Sequence, residues 1–145
     1  MWGLDPILDY WNKLRGDRFA PRWEDFDLMD LPAHVRGGMV VVDYDRAKND
    51  FRVRFWGVDL WDVFGIDLTG KWLSQVRHTE IMARFLKYGI KIIDTKQVQK
   101  TLHWAEVTTG EKETYPVLRL PLSDDGVNVT NIITLRNAKL LGRRR

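Results

Sequence analysis

The 145-residue sequence contains no cysteine. Disulfide bonds, thiol catalysis and cysteine-ligated zinc or iron–sulfur sites are therefore excluded. The sequence also lacks any apolar run of the roughly 18 residues that span a bilayer. Asp5, Asp9 and Lys13 interrupt the N-terminal region, where a signal peptide would be apolar. These absences predict a cytoplasmic protein with no membrane partner.

The sequence has little net charge. Its 23 Lys and Arg residues nearly balance its 20 Asp and Glu residues, and the formal charge is +3. Much of the excess lies in Arg143, Arg144 and Arg145, so we interpret residues 138–145 as a solvated basic tail. Nucleic-acid binding needs a basic patch on the folded body, and we therefore do not expect a nucleic-acid partner.

Aromatic residues are plentiful by contrast. They make up 12% of the chain and include seven Trp. With 44% hydrophobic residues the chain can bury a core, and its length suits one domain. Trp is large and carries one hydrogen-bond donor, so it suits cavity walls and interfaces as well as cores.

An amphipathic helix is predicted to begin at Asp5 and to end at Gly16. Its apolar stripe includes Leu8, Trp11 and Leu14. This stripe must dock on the chain's own sheet or on a second subunit. We treat residues 1–36 as a helical extension that precedes the main domain.

The spacing of apolar residues changes between Phe51 and Phe64, after the first strand. Phe51, Val53 and Phe55 alternate with arginines, which is typical of a half-buried strand. A few residues later the apolar spacing becomes helical and places Trp61 and Phe64 on one face of a short helix. A strand therefore leads directly into a helical block with many aromatic residues.

The elements after residue 36 predict an α+β domain over residues 37–137. Two strands come first, a block of helices follows, and three strands close the chain. This order closes naturally into one five-stranded antiparallel sheet with the helical block across one face. The predicted segments are strands over residues 39–44, 51–56, 97–108, 117–122 and 127–135 and a long helix over residues 78–93.

Three motifs occur in order along the chain. They are Trp11 to Gly16, then Phe51 to Gly57 followed by Phe64 to Gly70, and then Leu120 to Gly126. With these motifs the sequence resembles the small, single-domain PAS proteins common in alphaproteobacteria, and the likeness extends over about residues 4–136. The resemblance implies a PAS fold and a non-catalytic sensory or protein-interaction module that signals through its N-terminal helix or a partner.

A small-molecule pocket is predicted between the sheet and the helical block, because such pockets are mostly apolar with a few polar groups. The alternative is that the same side chains only fill the core. The candidate ligand-binding residues are Phe55, Trp61, Phe64, Trp72, His78, Phe85, Tyr88 and Trp104.

No cofactor or metal site is predicted from the residues themselves. Haem-binding PAS domains use a His on the corresponding helix, so the resemblance leaves haem ligation by His78 open. The flavin light sensors of this fold need a cysteine, and its absence leaves only a non-covalent flavin. The other histidines form no catalytic set, since His34 lies near a helix end and His103 is expected to point outward.

A homodimer or a signalling-protein partner is predicted to use the sheet face opposite the helical block. In PAS proteins that face is covered by the N-terminal helix or by a second subunit, so an intramolecular cover is the alternative. The three arginines of the candidate set should project away from the helical block. The candidate contact residues are Leu8, Trp11, Leu14, Arg52, Arg54 and Arg119.

An enzyme with an apolar, cone-shaped cavity of the ketosteroid-isomerase-like kind is the alternative function. Such proteins also combine helices with a curved antiparallel sheet, but they place helices before most of the sheet and need a buried acid or His. Here a hairpin precedes the long helix and the predicted inner face offers no clear acid. We therefore expect no enzymatic activity.

Overall fold

The N-terminal segment of the computed structural model begins with helix α1 (Asp5–Arg15), as predicted. Pro6 lies in its first turn, and Gly16 ends it with a φ of 57°. Two short 3-10 turns and helix α2 (Ala33–Arg36) lead to the sheet. The structure describes residues 4–77, 83–106, 110 and 112–136.

The sheet has five antiparallel strands in the order β2-β1-β5-β4-β3. Strands β1 and β2 form one hairpin, and β3 and β4 form another. Strand β5 lies at the centre of the sheet between β1 and β4. The predicted α+β fold with one antiparallel sheet is therefore confirmed. The strands are β1 (Val40–Asp45), β2 (Asp50–Trp56), β3 (Gln99–Glu106), β4 (Lys112–Leu122) and β5 (Asn131–Leu135).

The helical block lies between β2 and β3 in sequence and comprises α3 (Val58–Phe64), a π-helical segment (Phe85–Gly89) and α4 (Ile90–Thr95). The ring of Phe51 lies where a side chain at Gly89 would begin, since a Cβ there would be 3.1 Å from Phe51 Cζ. This glycine therefore lets the π-helical segment pack closely on the sheet. The start of the predicted helix at His78 lies outside the described residues.

Both faces of the sheet carry buried core residues. The inner face, towards the helical block, packs Val42, Val53 and Val117 against Leu60 and Ile92. The outer face packs on residues 4–36. The domain boundaries predicted at residues 36 and 137 stay predictions, and the basic tail lies outside the described residues.

The apolar stripe of α1 docks on the chain's own sheet. Trp11 is 4% exposed, and its Nε1 donates a hydrogen bond of 2.9 Å to the carbonyl oxygen of Pro121 in β4. Leu8 and Leu14 pack on the same cluster. Of the two alternatives left open by the sequence, the structure has the intramolecular cover.

Strand β4 faces the opposite way from the prediction. Leu118 and Leu120 lie on the outer face under the N-terminal segment, whereas Tyr115 and Val117 lie on the inner face. Arg119 lies on the inner face too, so the expectation that it projects away from the helical block is wrong. Alternation along a strand sets which residues share a face. It does not tell whether that face packs on the helical block or on the N-terminal segment when both faces of the strand are buried.

A β-bulge in β2 overturns the expected position of Phe55. Val42 pairs with Val53, but Val41 pairs with Phe55, so Arg54 is an extra residue on the β2 side. Such an insertion changes the face on which the following residues lie. Phe55 therefore packs on the outer face, and Trp56 takes the inner position.

The described helices are short. Within the described part of the chain, none is long and apolar enough to cross a membrane.

Candidate functional site

A cavity of about 40 Å³ lies between the inner face of the sheet and the π-helical segment. Its wall is made by strands β1, β2, β4 and β5 and by the helical block, so it lies at the centre of the fold. The apolar part of this wall consists of Val40, Val42, Trp56, Phe64, Phe85 and Ile132, and Gly89 adds backbone.

The polar part of the wall carries three arginines, Arg84, Arg119 and Arg136, and the hydroxyl of Thr134. Arg84 Nη1 donates a hydrogen bond of 3.3 Å to the phenol oxygen of Tyr115. The buried charges of Arg119 and Arg136 lie at this cavity, and they favour a positive potential in its interior. Positive potential in a space with low-dielectric walls attracts anions.

Arg119 extends from β4 and is 5% exposed. Its Nη1 donates a hydrogen bond of 2.8 Å to Thr101 Oγ1. Its guanidinium carbon lies 4.1 Å from the centroid of the Tyr88 ring, within the range of a cation–π contact. Burial, followed by the positive charges of Arg136 and Arg84, lowers the pKa of Arg119 to about 9, so the side chain is still charged at pH 7.

Arg136 directly follows β5 and is 7% exposed. Its Nε is buried and has no hydrogen-bond partner among the residues the structure describes. Burial lowers the pKa of Arg136 to about 10, with Arg84 contributing in the same direction. The group is therefore a buried cation with an unused donor.

Carboxylates are absent from the immediate surroundings of Arg119 and Arg136, as far as the described residues extend. Salt bridges in the described part of the chain are made by Arg18, Arg22 and Arg54, and these three arginines do not line the cavity. A buried charge normally has a counter-charge because its desolvation is costly. In these two arginines that compensation does not come from a described acidic side chain.

Strand β3 adds a second polar group beside Arg119. His103 lies on the inner face, edge-on to Tyr88 with 5.4 Å between ring centroids, and its Nε2 is 3.0 Å from Thr101 Oγ1. The expectation that His103 points outward is therefore wrong. Burial and the nearby charge of Arg119 lower the pKa of His103 to about 4, so the imidazole is neutral at pH 7.

Gln99 lies on β3 directly opposite Arg119. Its Nε2 donates a hydrogen bond of 3.3 Å to the backbone oxygen of Tyr88. Its Oε1 is buried and finds no partner in the described part of the chain. Gln99 Oε1 and Arg136 Nε are the two buried side-chain atoms without a hydrogen-bond partner in the described part of the chain, and such groups call for an explanation.

Some of the predicted pocket residues meet at the cavity. Phe64 and Phe85 form part of its wall, and Tyr88 lies beside it under Arg119. Trp56, which the sequence analysis missed, also lines it. Its position depends on the bulge at Arg54, which no local pattern announces.

Other predicted pocket residues lie elsewhere. Phe55 is on the outer face, and Trp61 is 50% exposed. Trp61 is one residue beyond the buried Leu60, and a step of about 100° per residue along a helix carries it away from the core. Trp72 lies at the surface, where the Lys48 ammonium is 4.3 Å from its ring centroid. His78 and the side chain of Trp104 lie outside the described residues.

The predicted contact residues also separate. Leu8, Trp11 and Leu14 belong to the intramolecular cover, and Arg119 belongs to the cavity. Arg52 and Arg54 are exposed, as expected, and Arg54 Nε donates a hydrogen bond of 2.8 Å to Asp43 Oδ1. Self-association of the chain stays a prediction.

A larger prosthetic group does not fit the cavity in this conformation. Cofactor and ligand sites typically measure roughly 300–1,000 Å³, and the cavity measures about 40 Å³. The haem or flavin considered from the sequence is therefore larger than this cavity, and cofactor binding by the chain stays a prediction. No cluster of three or more His, Asp or Glu residues in that same part of the chain could hold a metal ion.

Comparison with known proteins places the chain in a family. The sequence model of a family described as a PAS domain matches residues 3–135. A fungal LOV domain photoreceptor structure is 16% identical with a TM-score of 0.45, and the match covers 77% of this chain and 78% of that one. The light-state structure of the blue-light photoreceptor Aureochrome1 LOV is 14% identical with a TM-score of 0.46, covering 79% and 95%.

A search of curated protein sequences produced no match. The two solved structures are too distant to inform a ligand or an activity. The family match, however, extends over nearly all of the chain, from α1 to the end of β5. This chain belongs to the PAS domain family.

Proposed function

We propose that this PAS domain is a non-catalytic sensory or interaction module that binds a small molecule in the cavity between the inner face and the π-helical segment. The observation that carries the proposal is Arg136, a buried cation that lines this cavity and whose Nε has no partner among the described residues. Leaving a buried polar group unpaired costs about 1–3 kcal/mol, and more for a charged group. A bound ligand would remove that cost.

The surroundings support a binding role. Apolar walls with a few polar groups are the usual composition of small-molecule sites. The segment that closes this cavity, Phe85–Gly89, is π-helical, and such segments frequently occur at functional sites. An unpaired buried donor and an irregular helix are expected at sites where a protein gives up stability for function.

The proposed signal leaves the cavity through the sheet. Thr134 faces the cavity, while its neighbours Ile133 and Leu135 pack on the opposite face under the N-terminal segment. A ligand that shifts β5 therefore also changes the packing of α1. We infer that residues 4–36 are the output element, which acts on a second copy or on a signalling protein.

The alternative enzyme would need a general acid or base in the cavity. The described wall residues include no Asp or Glu. His103, which is nearby, is held neutral with a pKa of about 4, well below the value that suits a base at neutral pH. These observations favour the binding role over catalysis.

Native mass spectrometry of the full chain purified from cells tests the proposal. We expect a small-molecule adduct that is lost on denaturation. A Val40→Ile variant, which adds one methylene to the cavity wall, should reduce the adduct, whereas Val41→Ile on the outer face should retain it. The proposal fails if the protein carries no adduct and no member of a metabolite library raises its melting temperature.

A further inference from the structure

We propose that the cavity takes a small organic carboxylate, whose carboxylate binds the guanidinium groups of Arg119 and Arg136 and whose short apolar part lies against Phe64 and Phe85. This inference rests on the proposed function, because it names the class of ligand for the same site. It adds that the ligand must be negatively charged, which the proposed function does not require.

Uncompensated positive charge is the first argument. Arg119 and Arg136 are 5% and 7% exposed, and within the described ranges neither has an ion pair. Arg84 lines the same cavity and adds to the positive potential. An anionic ligand supplies the counter-charge that the described residues do not.

Donor geometry is the second argument. Arg119 already donates to Thr101, whereas Arg136 Nε has no partner among the described residues. Arg136 and Thr134 both line the cavity. A guanidinium presents planar, parallel N–H groups that match the two oxygens of a carboxylate. A neutral carbonyl would satisfy the donor but would leave the charge uncompensated.

The apolar part of the wall selects a carboxylate attached to carbon rather than an inorganic anion. Trp56, Phe64 and Phe85 line the same cavity as the arginines. Inorganic phosphate has no apolar part to cover these side chains. A short hydrocarbon chain attached to the carboxylate matches both the apolar and the charged part of the lining.

The size of the cavity restricts the chain length. A buried water occupies about 10–15 Å³ on this volume scale. The cavity of about 40 Å³ therefore holds about three or four water-sized groups. Propionate is a suitable probe of this size.

The test is an NMR titration of the full chain with propionate, propionamide and inorganic phosphate. We expect propionate to shift amide signals around the cavity and propionamide and phosphate to bind at least tenfold more weakly. Equal binding of propionate and propionamide would show that charge is not recognised and would overturn the inference. Tighter binding of phosphate than of propionate would overturn the choice of an organic carboxylate.

Two variants separate recognition from folding. Arg136→Met keeps the length of the side chain and removes the charge, and Arg52→Met makes the same change on the exposed side of β2. We expect Arg136→Met to weaken propionate binding at least tenfold while the melting temperature of the free protein stays equal or rises. Arg52→Met should bind as the wild type does. A lower melting temperature with unchanged binding would mark Arg136 as structural and overturn the inference.

Failure of the inference is distinguishable from failure of the proposed function. If none of the three probes binds but the purified protein carries a neutral adduct, the cavity is a ligand site and the carboxylate assignment is wrong. If no probe binds and no adduct or library compound is found, both proposals are wrong.

Discussion

The guanidinium carbon of Arg119 lies 4.1 Å from the centroid of the Tyr88 ring. This contact joins strand β4 to the π-helical segment across one end of the cavity. Because the same arginine also donates to Thr101 on β3, a change at the cavity can reach both the sheet edge and the helical block. The contact is thus a physical link between the lining of the cavity and the helical block.

A double-mutant cycle measures this link. Tyr88→Leu should lose the cation–π contact with Arg119, whereas Tyr88→Phe should retain it. We expect a coupling free energy of about 1–2 kcal/mol between Tyr88→Leu and Arg119→Met in urea unfolding, since the pair is buried. A coupling near zero would mean that the two groups are only neighbours.

The stability of the protein should depend on pH through His103. Its pKa is lowered from 6.5 to about 4, mainly by burial and then by the charge of Arg119. Below pH 6.5 the unfolded chain binds a proton that the folded protein does not, so the free energy of unfolding falls as the pH drops from about 6.5 to about 4. Urea unfolding of His103→Gln over that range should show a smaller slope than the wild type. An imidazole that titrates near 6.5 by NMR would contradict this expectation.

Truncation of two tryptophans should change the free energy of unfolding by very different amounts. Trp11 is 4% exposed and bonded to Pro121, so Trp11→Ala should reduce the free energy of unfolding by about 3–5 kcal/mol. Trp61 is 50% exposed, and Trp61→Ala should change it by less than about 1 kcal/mol. Chemical unfolding of both variants checks the pair. A large loss for Trp61→Ala would place that side chain in a core that the structure does not contain.

The junction between β2 and α3 should not tolerate a side chain at Gly57. A Cβ at Gly57 would lie 2.1 Å from the backbone oxygen of Gly37, and neither backbone can easily move. We expect Gly57→Ala to cost at least about 3 kcal/mol. Gly65 has a φ of 70° and open space around it, so Gly65→Ala should cost only about 1 kcal/mol. Thermal unfolding compares the two variants. A smaller loss of stability in Gly57→Ala than in Gly65→Ala would refute the close approach of the Gly57 and Gly37 backbones.

Local patterns were sufficient for the type and order of the elements but not for all their limits. Strand β4 begins at Lys112 and β5 at Asn131, whereas the sequence predicted residues 117 and 127. The limits of α1, the glycine that ends α3 and the hairpin of β1 and β2 follow from spacing and from residue types that end helices. Phe64 and Phe85 line the cavity because α3 and the π-helical segment pack on the inner face, and their role in ligand binding stays a prediction. Trp61 was misplaced because a single helical step separates it from the buried Leu60.

By itself, the sequence determined the α+β class, the order of the elements and the alternation of residues along β4, because these depend on local periodicity and on glycines at helix ends. Only the tertiary structure decided which face meets the helical block. The N-terminal segment buries the outer face with its own apolar stripe, so leucines and arginines of β4 could each lie on either side. Packing placed Arg119 inside and Leu118 outside, and the bulge at Arg54 moved Phe55 away from the cavity.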